Sequence, residues 1–217
     1  MPQADTVLLL HGFAGHPIQM SLLARRLRRA GYHVANIGYP SWRWPADRIV
    51  DHLHRQVIAA SAHAAPRLHC VGHSMGGLLL RAYLARHRPA NLGRVVMLGT
   101  PHGGSELADL AYRLRLARPI LNGAGPLLRT GRAPAMQELL GLVDYPLGII
   151  AGDRPMIGAL PHAVFPTPND GKVSVAATHC PGESDHLTLP LGHTALVHAR
   201  PAADQLIYFL RHGRFER

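Results

Sequence analysis

Short apolar runs alternate with amphipathic stretches along the whole chain. The runs are rich in Val, Ile and Leu and are bounded by turn-forming residues, which is typical of strands buried on both faces. The stretches between them repeat their apolar positions about every 3.6 residues, as helices with one buried face do. The pattern predicts six strands, over residues 6–10, 33–38, 68–72, 94–98, 147–152 and 186–189.

The predicted helices lie between these strands. Pro17 suits the first turn of a helix that continues to Ala30 and ends before Gly31. Alternating strands and helices favour an α/β fold of three layers, with about six parallel strands and helices on both faces of the sheet. The remaining helices are predicted over 46–64, 75–87, 173–177 and 201–211, with mixed helical segments in 105–145 and a Pro-rich stretch over 153–169.

Length and composition favour one domain. The chain has 217 residues, of which 47% are hydrophobic, and this is enough to bury one sizeable core. We therefore predict a single domain over 1–217, in which 105–145 is the stretch with room for a small cap.

The positive charge of the chain is carried almost entirely by arginine. The net charge is +10 with neutral histidines, and Lys172 is the only lysine. Such a charge can indicate binding to nucleic acid or to an anionic membrane surface. The arginines, however, are spread over the polar faces of predicted helices, as at 25–29, and no nucleic-acid-binding motif is present. We expect no nucleic-acid partner and leave peripheral membrane contact open.

No segment of the sequence predicts membrane insertion or secretion. A membrane-spanning helix needs about 18 consecutive apolar residues, and no run approaches that length. The N-terminus lacks the separate apolar region and cleavage site of a signal peptide, so a cytoplasmic location is expected. Cys70, in an apolar run, is predicted to be a buried free thiol, and Cys180 lies in a predicted loop. Two cysteines define no disulfide framework, and their pairing stays open.

The sharpest motif is Gly-His-Ser-Met-Gly at residues 72–76, which fits the pattern G-x-S-x-G. It follows a predicted strand and precedes a predicted helix, as this motif requires. A strand that turns into a helix within about one residue forces the serine into a strained conformation with an exposed hydroxyl. Gly72 and Gly76 lack the Cβ atoms that would collide with neighbouring elements. Ser74 is therefore the predicted nucleophile.

A nucleophilic serine needs hydrogen-bond donors for the oxyanion that its attack creates. One donor is the backbone amide of the residue after the nucleophile, here Met75. The other is expected from the loop after an earlier strand, and His11, Gly12 and Phe13 directly follow the first predicted strand. Gly12 lets the backbone approach closely, so the amides of Phe13 and Met75 are the predicted oxyanion hole.

The sequence contains sixteen histidines, so chain order must select the general base. In sheets that carry this serine motif, the order along the chain is serine, acid, histidine, with the histidine after the last strand. His193 meets this condition and follows Gly192, which permits a tight loop. The alternatives are His186, at the start of the last predicted strand, and His198, near the last helix.

The acid that orients this histidine is expected after the fifth strand. Asp170 lies there within an Asn-Asp-Gly turn signal at 169–171. Its role would be to fix the tautomer of His193 and to stabilise the imidazolium. Asp153, at the end of the fifth strand, and Asp185, just before the sixth, are the alternatives.

Taken together, these segments resemble the α/β-hydrolase family, and within it the small bacterial lipases and esterases. The resemblance implies a triad of Ser74, Asp170 and His193 and an oxyanion hole of the Phe13 and Met75 amides. It rests on Leu-His-Gly-Phe at 10–13, Gly-His-Ser-Met-Gly-Gly at 72–77, Gly-Thr-Pro-His-Gly-Gly at 99–104, and Asn-Asp-Gly-Lys-Val at 169–173 followed by Gly-His at 192–193.

The chain also departs from the family pattern. It opens at the strand that would be third in the full eight-stranded fold, so a reduced six-stranded α/β-hydrolase sheet is expected. Residues 105–145 are short for a lid, which favours an esterase with an open or lightly covered site over an interfacial lipase. No cofactor is expected. No metal site is expected either, because His52 and His54 are too close along a helix to share a face.

The pocket above Ser74 is expected to be apolar. Phe13, Met75 and Leu107 are the predicted substrate contacts, and Leu110 and Leu114 are further candidates whose side chains could equally face the core. Two tryptophans follow the second strand at the same sheet edge and are predicted to line the site or to cap the core. They are Trp42 and Trp44.

The resemblance and the motifs together predict a carboxylic ester hydrolase with a small-molecule acyl ester as substrate. A thioesterase, amidase or acyltransferase would use the same triad, and the sequence does not separate these. A non-catalytic binding protein on the same fold is the other alternative, since fold alone does not establish activity. Such a protein would not need every triad residue and both oxyanion positions.

Overall fold

The computed structural model describes residues 3–61, 66–114, 123–155 and 167–217, with residues 59–61 described by their backbone alone. The end of the predicted second helix, at 62–64, lies outside these ranges. So do residues 115–122 of the predicted cap stretch and residues 156–166 of the Pro-rich stretch.

The described strands form one sheet of six parallel strands in the order β2-β1-β3-β4-β5-β6. The prediction of a parallel α/β sheet is confirmed. Because all strands run the same way, the loops that follow them gather at one edge of the sheet. The strands are β1 (Thr6–Leu10), β2 (His33–Ile37), β3 (Leu68–His73), β4 (Leu92–Leu98), β5 (Leu147–Gly152) and β6 (Asp185–Leu189).

Side chains alternate between the two faces of the sheet and build a core on each face. In β1, Leu8 and Leu10 belong to one core, whereas Val7 and Leu9 belong to the other. All four are fully buried. Both faces of the central strands are therefore covered, which explains why their sequences read as continuous apolar runs rather than as alternating patterns.

Helices cover both faces, as predicted. Helices α2 (Ala46–Ser61) and α3 (Met75–Arg86) pack on the core that contains Leu8, while α1 (Ser21–Arg29) and the C-terminal helix pack on the other. Between β4 and β5, the described residues form two short helices and a 3₁₀ turn over Gly125–Leu128. The remaining helices are α4 (Glu106–Arg113), α5 (Pro134–Leu140), α6 (Val175–Thr178) and α7 (Arg200–His212).

The first helix differs from the prediction of one continuous helix from Pro17. The structure has a 3₁₀ turn over Pro17–Met20, and the α-helix begins at Ser21. The Pro17 carbonyl instead accepts a hydrogen bond from the Asn36 amide group, 2.8 Å away, which ties this turn to the end of β2. Gly31 follows the helix with φ of +98°, the left-handed conformation expected after a helix C-terminus.

Cys70 and Cys180 are both buried, and both are free thiols. The prediction of a buried thiol at Cys70 is confirmed. Among the described residues, no helix is both long and apolar enough to cross a membrane.

Candidate active site

Ser74 occupies the turn between β3 and α3 in a strained backbone conformation. Its φ is +55° and its ψ is −126°, a region that residues other than glycine rarely adopt. A Cβ at Gly72 would lie 2.5 Å from the Gly77 nitrogen, and a Cβ at Gly76 would lie 2.5 Å from the His11 carbonyl oxygen. Both neighbours are backbone atoms that cannot move aside. The glycines of the motif are thus required by close packing, as predicted.

Hydrogen bonds to the neighbouring backbone fix this turn. The Ser74 amide donates to the Leu98 carbonyl at 2.8 Å, and the Gly77 amide donates to the Ser74 carbonyl at 3.0 Å. The first bond joins the turn to the end of β4, so the strain at Ser74 is held in place by the sheet itself.

His193 and Asp170 form a buried pair in loops at the same sheet edge. His193 Nδ1 lies 2.7 Å from Asp170 Oδ2, and the two side chains are 5% and 1% exposed. The other carboxylate oxygen, Oδ1, accepts hydrogen bonds from the amides of Lys172 (2.9 Å) and Val173 (2.8 Å). The His193 amide also donates to the Asp170 carbonyl at 2.9 Å. Because the carboxylate is held on both oxygens, it is positioned to fix the His193 ring.

Gly99, at the end of β4, makes room for this pair. Its φ is +54°, and a Cβ there would lie 3.0 Å from Asp170 Oδ2 and 3.1 Å from His193 Nδ1. Gly99 opens the 99–104 segment on which the family resemblance rests, but no role beside the triad was predicted for it. Its place directly after a buried strand is the only signal that indicates a close approach.

The alternative acids differ from Asp170 in their surroundings. Asp153 is exposed at the end of β5. Asp185 accepts a hydrogen bond from the Phe215 amide at 2.8 Å and pairs with Arg217 at 2.5 Å. Neither carboxylate has a described contact with His193, whereas that of Asp170 does.

The alternative bases are not among the lining residues of the cavity beside Ser74. His186 Nε2 lies 2.9 Å from the Thr178 hydroxyl, and the ring stacks on His179 with centroids 3.9 Å apart. His198 is exposed at the end of a 3₁₀ turn. Of the three candidate histidines, His193 is the one that lies with Ser74 in the lining of a common cavity.

His73 is a site residue that was not predicted from the sequence. Its Nε2 lies 3.1 Å from the His193 carbonyl oxygen, and its ring is 4.7 Å from the His193 ring. Burial, reinforced by the neighbouring His193, holds the pKa of His73 well below 6.5. His73 is therefore neutral and donates its Nε2 proton to the carbonyl. Its place directly before Ser74 at the end of a buried strand was the available signal.

The backbone of the loop after β1 approaches Ser74 closely. A Cβ at Gly12 would lie 3.2 Å from the Ser74 Cβ. The Gly15 amide closes the following turn by donating to the Gly12 carbonyl at 3.2 Å, so the Phe13 amide within that turn is not used to close it. Met75 is the first residue of α3, where an amide has no acceptor within its own helix. Met75 thus directly follows Ser74, and Phe13 follows the glycine that approaches Ser74 and lines the same cavity.

Residues from the loop after β2 hold this first loop in place. The Ala14 amide donates to the Ser41 hydroxyl oxygen at 2.8 Å, and Ala14 has φ of +50°. The Tyr39 ring stacks on the His11 ring at 4.2 Å, and its hydroxyl donates to the His11 carbonyl. Sequence reasoning missed Tyr39 and Ser41 because these contacts join positions more than two dozen residues apart, and no local pattern marks them.

The cavity beside Ser74 has a volume of about 290 Å³. Ser74, His73 and His193 lie in its lining, and Lys172 contributes the only side chain of fixed charge among the described lining residues. The predicted contacts Phe13 and Leu107 also line it. The remaining lining is mostly apolar or small and comprises Gly12, Gln19, Pro101, Ser105, Ala108, Ala111, Leu128, Val173, Thr194 and Val197.

Other candidate contacts lie away from this cavity lining. The Met75 side chain is fully buried in the core and is not among the lining residues of the cavity. Leu114 is 54% exposed and Trp42 is 44% exposed, while Trp44 packs against the core. Leu110 is half-buried and does not line the cavity.

No group of three metal-ligating side chains occurs among the described residues. His52 Nε2 contacts the Gly38 carbonyl at 3.2 Å, whereas the His54 ring stacks on His87. The two histidines thus take part in different local contacts.

The sequence of the chain matches a family model and several curated proteins. The family model of the alpha/beta hydrolase fold matches residues 5–150. Two curated triacylglycerol lipases, from Pseudarthrobacter phenanthrenivorans and Burkholderia plantarii, are each 37% identical over 118 residues, or 48% of this chain. These matches cover 35% and 31% of the two lipases. The chain thus spans about a third of the length of the curated relatives it matches.

Solved structures share the fold. A Bacillus licheniformis lipase, BlEst2 in its propeptide form, superposes with a TM-score of 0.80 at 23% identity, over 95% of this chain and 51% of the lipase. The phospholipase PlaB from Legionella pneumophila gives a TM-score of 0.74 at 18% identity, over 97% of this chain and 60% of the phospholipase.

Proposed function

This chain belongs to the α/β-hydrolase family, and from that premise we propose that it hydrolyses carboxylic esters through a covalent acyl intermediate on Ser74. The observation that carries the proposal is the convergence of Ser74 and His193 on one cavity, with Asp170 bonded behind the histidine. Nucleophile, base and orienting acid in this arrangement are the requirements for acyl transfer through serine.

Acylation follows from these positions. His193 Nε2 takes the hydroxyl proton of Ser74 as the serine Oγ attacks the carbonyl carbon of the ester. Asp170, bonded to Nδ1, stabilises the imidazolium that results. The tetrahedral intermediate then collapses, the bond to the alcohol oxygen breaks, and the alcohol leaves with the proton from His193.

Deacylation repeats the sequence with water. His193 takes a proton from a water molecule, whose oxygen attacks the acyl carbon and forms a second tetrahedral intermediate. Collapse breaks the bond to Ser74 Oγ, and His193 returns the proton to that oxygen. The acid product leaves, and the free serine and neutral histidine are restored without any cofactor.

The amides of Phe13 and Met75 are the proposed oxyanion donors. Each tetrahedral intermediate carries a negative oxygen, and donors fixed by the backbone do not need to reorganise when that charge develops. Loss of one such donor typically costs about 3–4 kcal/mol of transition-state stabilisation. The bonds that Ser41 and Tyr39 make to the loop after β1 support this role, because they restrain the backbone that carries the Phe13 amide.

The apolar cavity is the proposed acyl-chain site. Leu107, Ala108 and Ala111 on α4 and Leu128 in the following 3₁₀ turn line it, so the stretch 105–145 supplies one wall. We propose that this stretch is a small cap within one domain. Phe13 and Leu107 would contact the acyl chain, and Met75 would contribute its backbone amide at the reacting carbonyl.

Esters are the favoured substrates among acyl compounds. The same residues would act on thioesters or amides, but the curated relatives are named triacylglycerol lipases. The proposed substrate is therefore a small-molecule acyl ester.

A series of p-nitrophenyl esters from acetate to palmitate tests the proposal. We expect wild type to hydrolyse the shorter esters best, since the proposed cap is small. Ser74→Ala should lower kcat by a factor on the order of a million. Ser21→Ala, which changes an exposed serine on α1, is the matched control and should keep full activity. A folded wild type that is inert on every ester would contradict ester hydrolysis.

A further inference from the structure

A second cavity lies next to the loop that borders the candidate active site. Pro101 lines the first cavity, whereas the next two residues of the loop, His102 and Gly103, line the second. Its volume is about 280 Å³, many times the roughly 30 Å³ that one water molecule takes in the liquid. Its other lining residues are Arg81, Thr130, Arg132, Gln137 and Leu140.

The lining of this second cavity is rich in positive charge and in hydrogen-bond donors. Arg81 and Arg132 contribute two guanidinium groups, and no carboxylate side chain is among the described lining residues. Neither guanidinium forms an ion pair within the described part of the chain. Asp109, whose charge reaches Arg132, pairs with Arg129 at 3.5 Å. Neither guanidinium therefore has a carboxylate paired with it among the described residues, although the charge of Asp109 still acts on Arg132.

Both guanidinium groups are held in fixed positions. Arg132 donates to the carbonyl oxygens of Leu127, Pro101 and His102, each at 2.6 Å. Arg81 donates to the Gly141 carbonyl at 2.7 Å and to His102 Nδ1 at 3.2 Å. Because carbonyls and an imidazole nitrogen orient them, the cations would lose little further side-chain freedom on binding an anion.

Two buried hydrogen-bond donors at the second cavity lack an acceptor among the described residues. A guanidinium only donates, so His102 Nδ1 accepts from Arg81 and the proton of the neutral ring lies on Nε2. That Nε2 group and Arg81 Nε are both buried without a hydrogen-bond partner among the described residues. A buried donor without an acceptor is destabilising, so an acceptor placed beside it would be favoured.

The two arginines also repel each other. Burial is the main cause that lowers the pKa of Arg132 to about 10, and the charge of Arg81 lowers it further. An anion bound beside both guanidinium groups offsets this repulsion. Charge-assisted bonds from guanidinium to phosphate oxygens are also among the stronger hydrogen bonds in proteins.

We propose that this second cavity is a binding site for a phosphate group. Two guanidinium groups and the Gln137 amide can serve several oxygens at once, which suits a phosphate better than a carboxylate with two oxygens. The Thr130 hydroxyl already donates to the Asp109 carboxylate. The group belongs either to free phosphate or to the headgroup of an anionic lipid. The proposal does not depend on ester hydrolysis, and its test measures binding alone.

Calorimetric titration of the full chain with inorganic phosphate, at ionic strength held constant with chloride, tests the free anion. Wild type is expected to bind saturably. Gln137→Glu keeps the side-chain shape but places a carboxylate beside the arginines, and Arg81→Met removes one cation. Each should weaken binding at least about tenfold, the loss expected for one charge-assisted hydrogen bond.

Two control variants make the same charge changes elsewhere. Gln205→Glu lies on α7, and Arg86→Met lies on α3 with Arg81 but is exposed and paired with Asp51. Both should bind phosphate as wild type does. If Arg81→Met fails to fold, Gln137→Glu decides the result, because Gln137 is exposed and its replacement is isosteric.

Flotation with phosphatidylcholine vesicles, with or without phosphatidic acid, tests the lipid headgroup. Binding that requires phosphatidic acid and is lost in Gln137→Glu, without saturable binding of free phosphate, supports the site with a headgroup as its ligand. Absence of both kinds of binding in wild type would overturn the proposal. So would binding that Gln137→Glu and Gln205→Glu affect equally.

Discussion

His73 Nε2 donates a hydrogen bond to the backbone carbonyl of His193, 3.1 Å away. The residue before the proposed nucleophile thus holds the loop that carries the proposed base. Since burial keeps His73 neutral, this bond persists at ordinary assay pH.

Replacing His73 should therefore lower the rate without abolishing binding. His73→Phe removes the donor, and a displacement of the His193 loop by about 1 Å would lower kcat by between about tenfold and a hundredfold. KM should change little. His73→Gln retains an N–H donor and should recover part of the lost rate.

The control for this variant is His33→Phe, at the exposed start of β2. Steady-state kinetics on a p-nitrophenyl ester separate kcat from KM. An unchanged kcat in folded His73→Phe would contradict the positioning role.

The choice of acid gives a second prediction. Asp170→Asn keeps the shape of the side chain but no longer stabilises the imidazolium, so kcat should fall by a factor on the order of 10⁴. Asp153→Asn changes an exposed carboxylate near the same sheet edge and should leave kcat within about twofold of wild type. Parallel kinetics of the two variants check this, and a larger loss in Asp153→Asn would contradict the assignment of Asp170.

A glycine substitution tests the close packing around the turn that carries Ser74. A Cβ at Gly76 would meet two carbonyl oxygens of the β1 end, 2.5 Å and 2.6 Å away, and backbone cannot move aside. Gly76→Ala should therefore lower the free energy of unfolding by about 3 kcal/mol or more. Gly131→Ala meets nothing within 4 Å and is the control. Urea denaturation measures both, and equal stabilities would contradict the close packing.

The loop that carries the Phe13 amide gives a fourth prediction. Ser41→Ala leaves the Ala14 amide without its acceptor, at about 1–3 kcal/mol of unfolding free energy. Because the same bond restrains the oxyanion loop, kcat should fall by about tenfold or more. Ser184→Ala removes a comparable bond, from the Leu147 amide, at a site away from the cavity lining. Ser184→Ala should lower stability but not kcat; equal kcat in both variants would refute the link.

Stability should decline in mild acid. Burial is the largest cause that lowers the pKa of His73 and of His102 well below 6.5. The unfolded chain then binds more protons than the folded protein once the pH falls below about 6.5, so stability is present above that pH and is lost as pH falls. Each such histidine contributes a slope of up to about 1.4 kcal/mol per pH unit.

Melting temperatures between pH 8 and 5 check this expectation. The melting temperature of wild type should be constant above about pH 7 and should decrease below about pH 6.5. His102→Gln should show a shallower fall. Identical slopes in both proteins would mean that His102 does not account for the acid sensitivity.

Much of the scaffold could be predicted from the sequence because local signals specify it. The buried strands read as apolar runs, and the strand-turn-helix pattern around Ser74 identified the strained turn. The prediction of one continuous helix from Pro17 was wrong, because Pro17–Met20 form a 3₁₀ turn in which a long-range hydrogen bond from Asn36 competes for the Pro17 carbonyl. Periodicity alone does not report such a contact.

The choice among Asp153, Asp170 and Asp185 illustrates what local pattern leaves open. Asp153 and Asp185 lie at strand ends, whereas Asp170 lies within an Asn-Asp-Gly turn signal, and an aspartate in any of these places could serve only as a cap or turn residue. The 2.7 Å contact of Asp170 with His193 depends on β5 and β6 being neighbours in the sheet, which brings their following loops together. The supports at His73, Tyr39 and Ser41 arise in the same way from pairing between distant segments.

The central claim, that Ser74 is the nucleophile, is tested most directly by intact-protein and peptide mass spectrometry after treatment with diethyl p-nitrophenyl phosphate. We predict a single diethylphosphoryl adduct on the peptide that contains Ser74, with ester hydrolysis lost in step with labelling, and no adduct on Ser74→Ala. An adduct on another residue that tracks the loss of activity, or ester hydrolysis that persists in Ser74→Ala, would contradict the account.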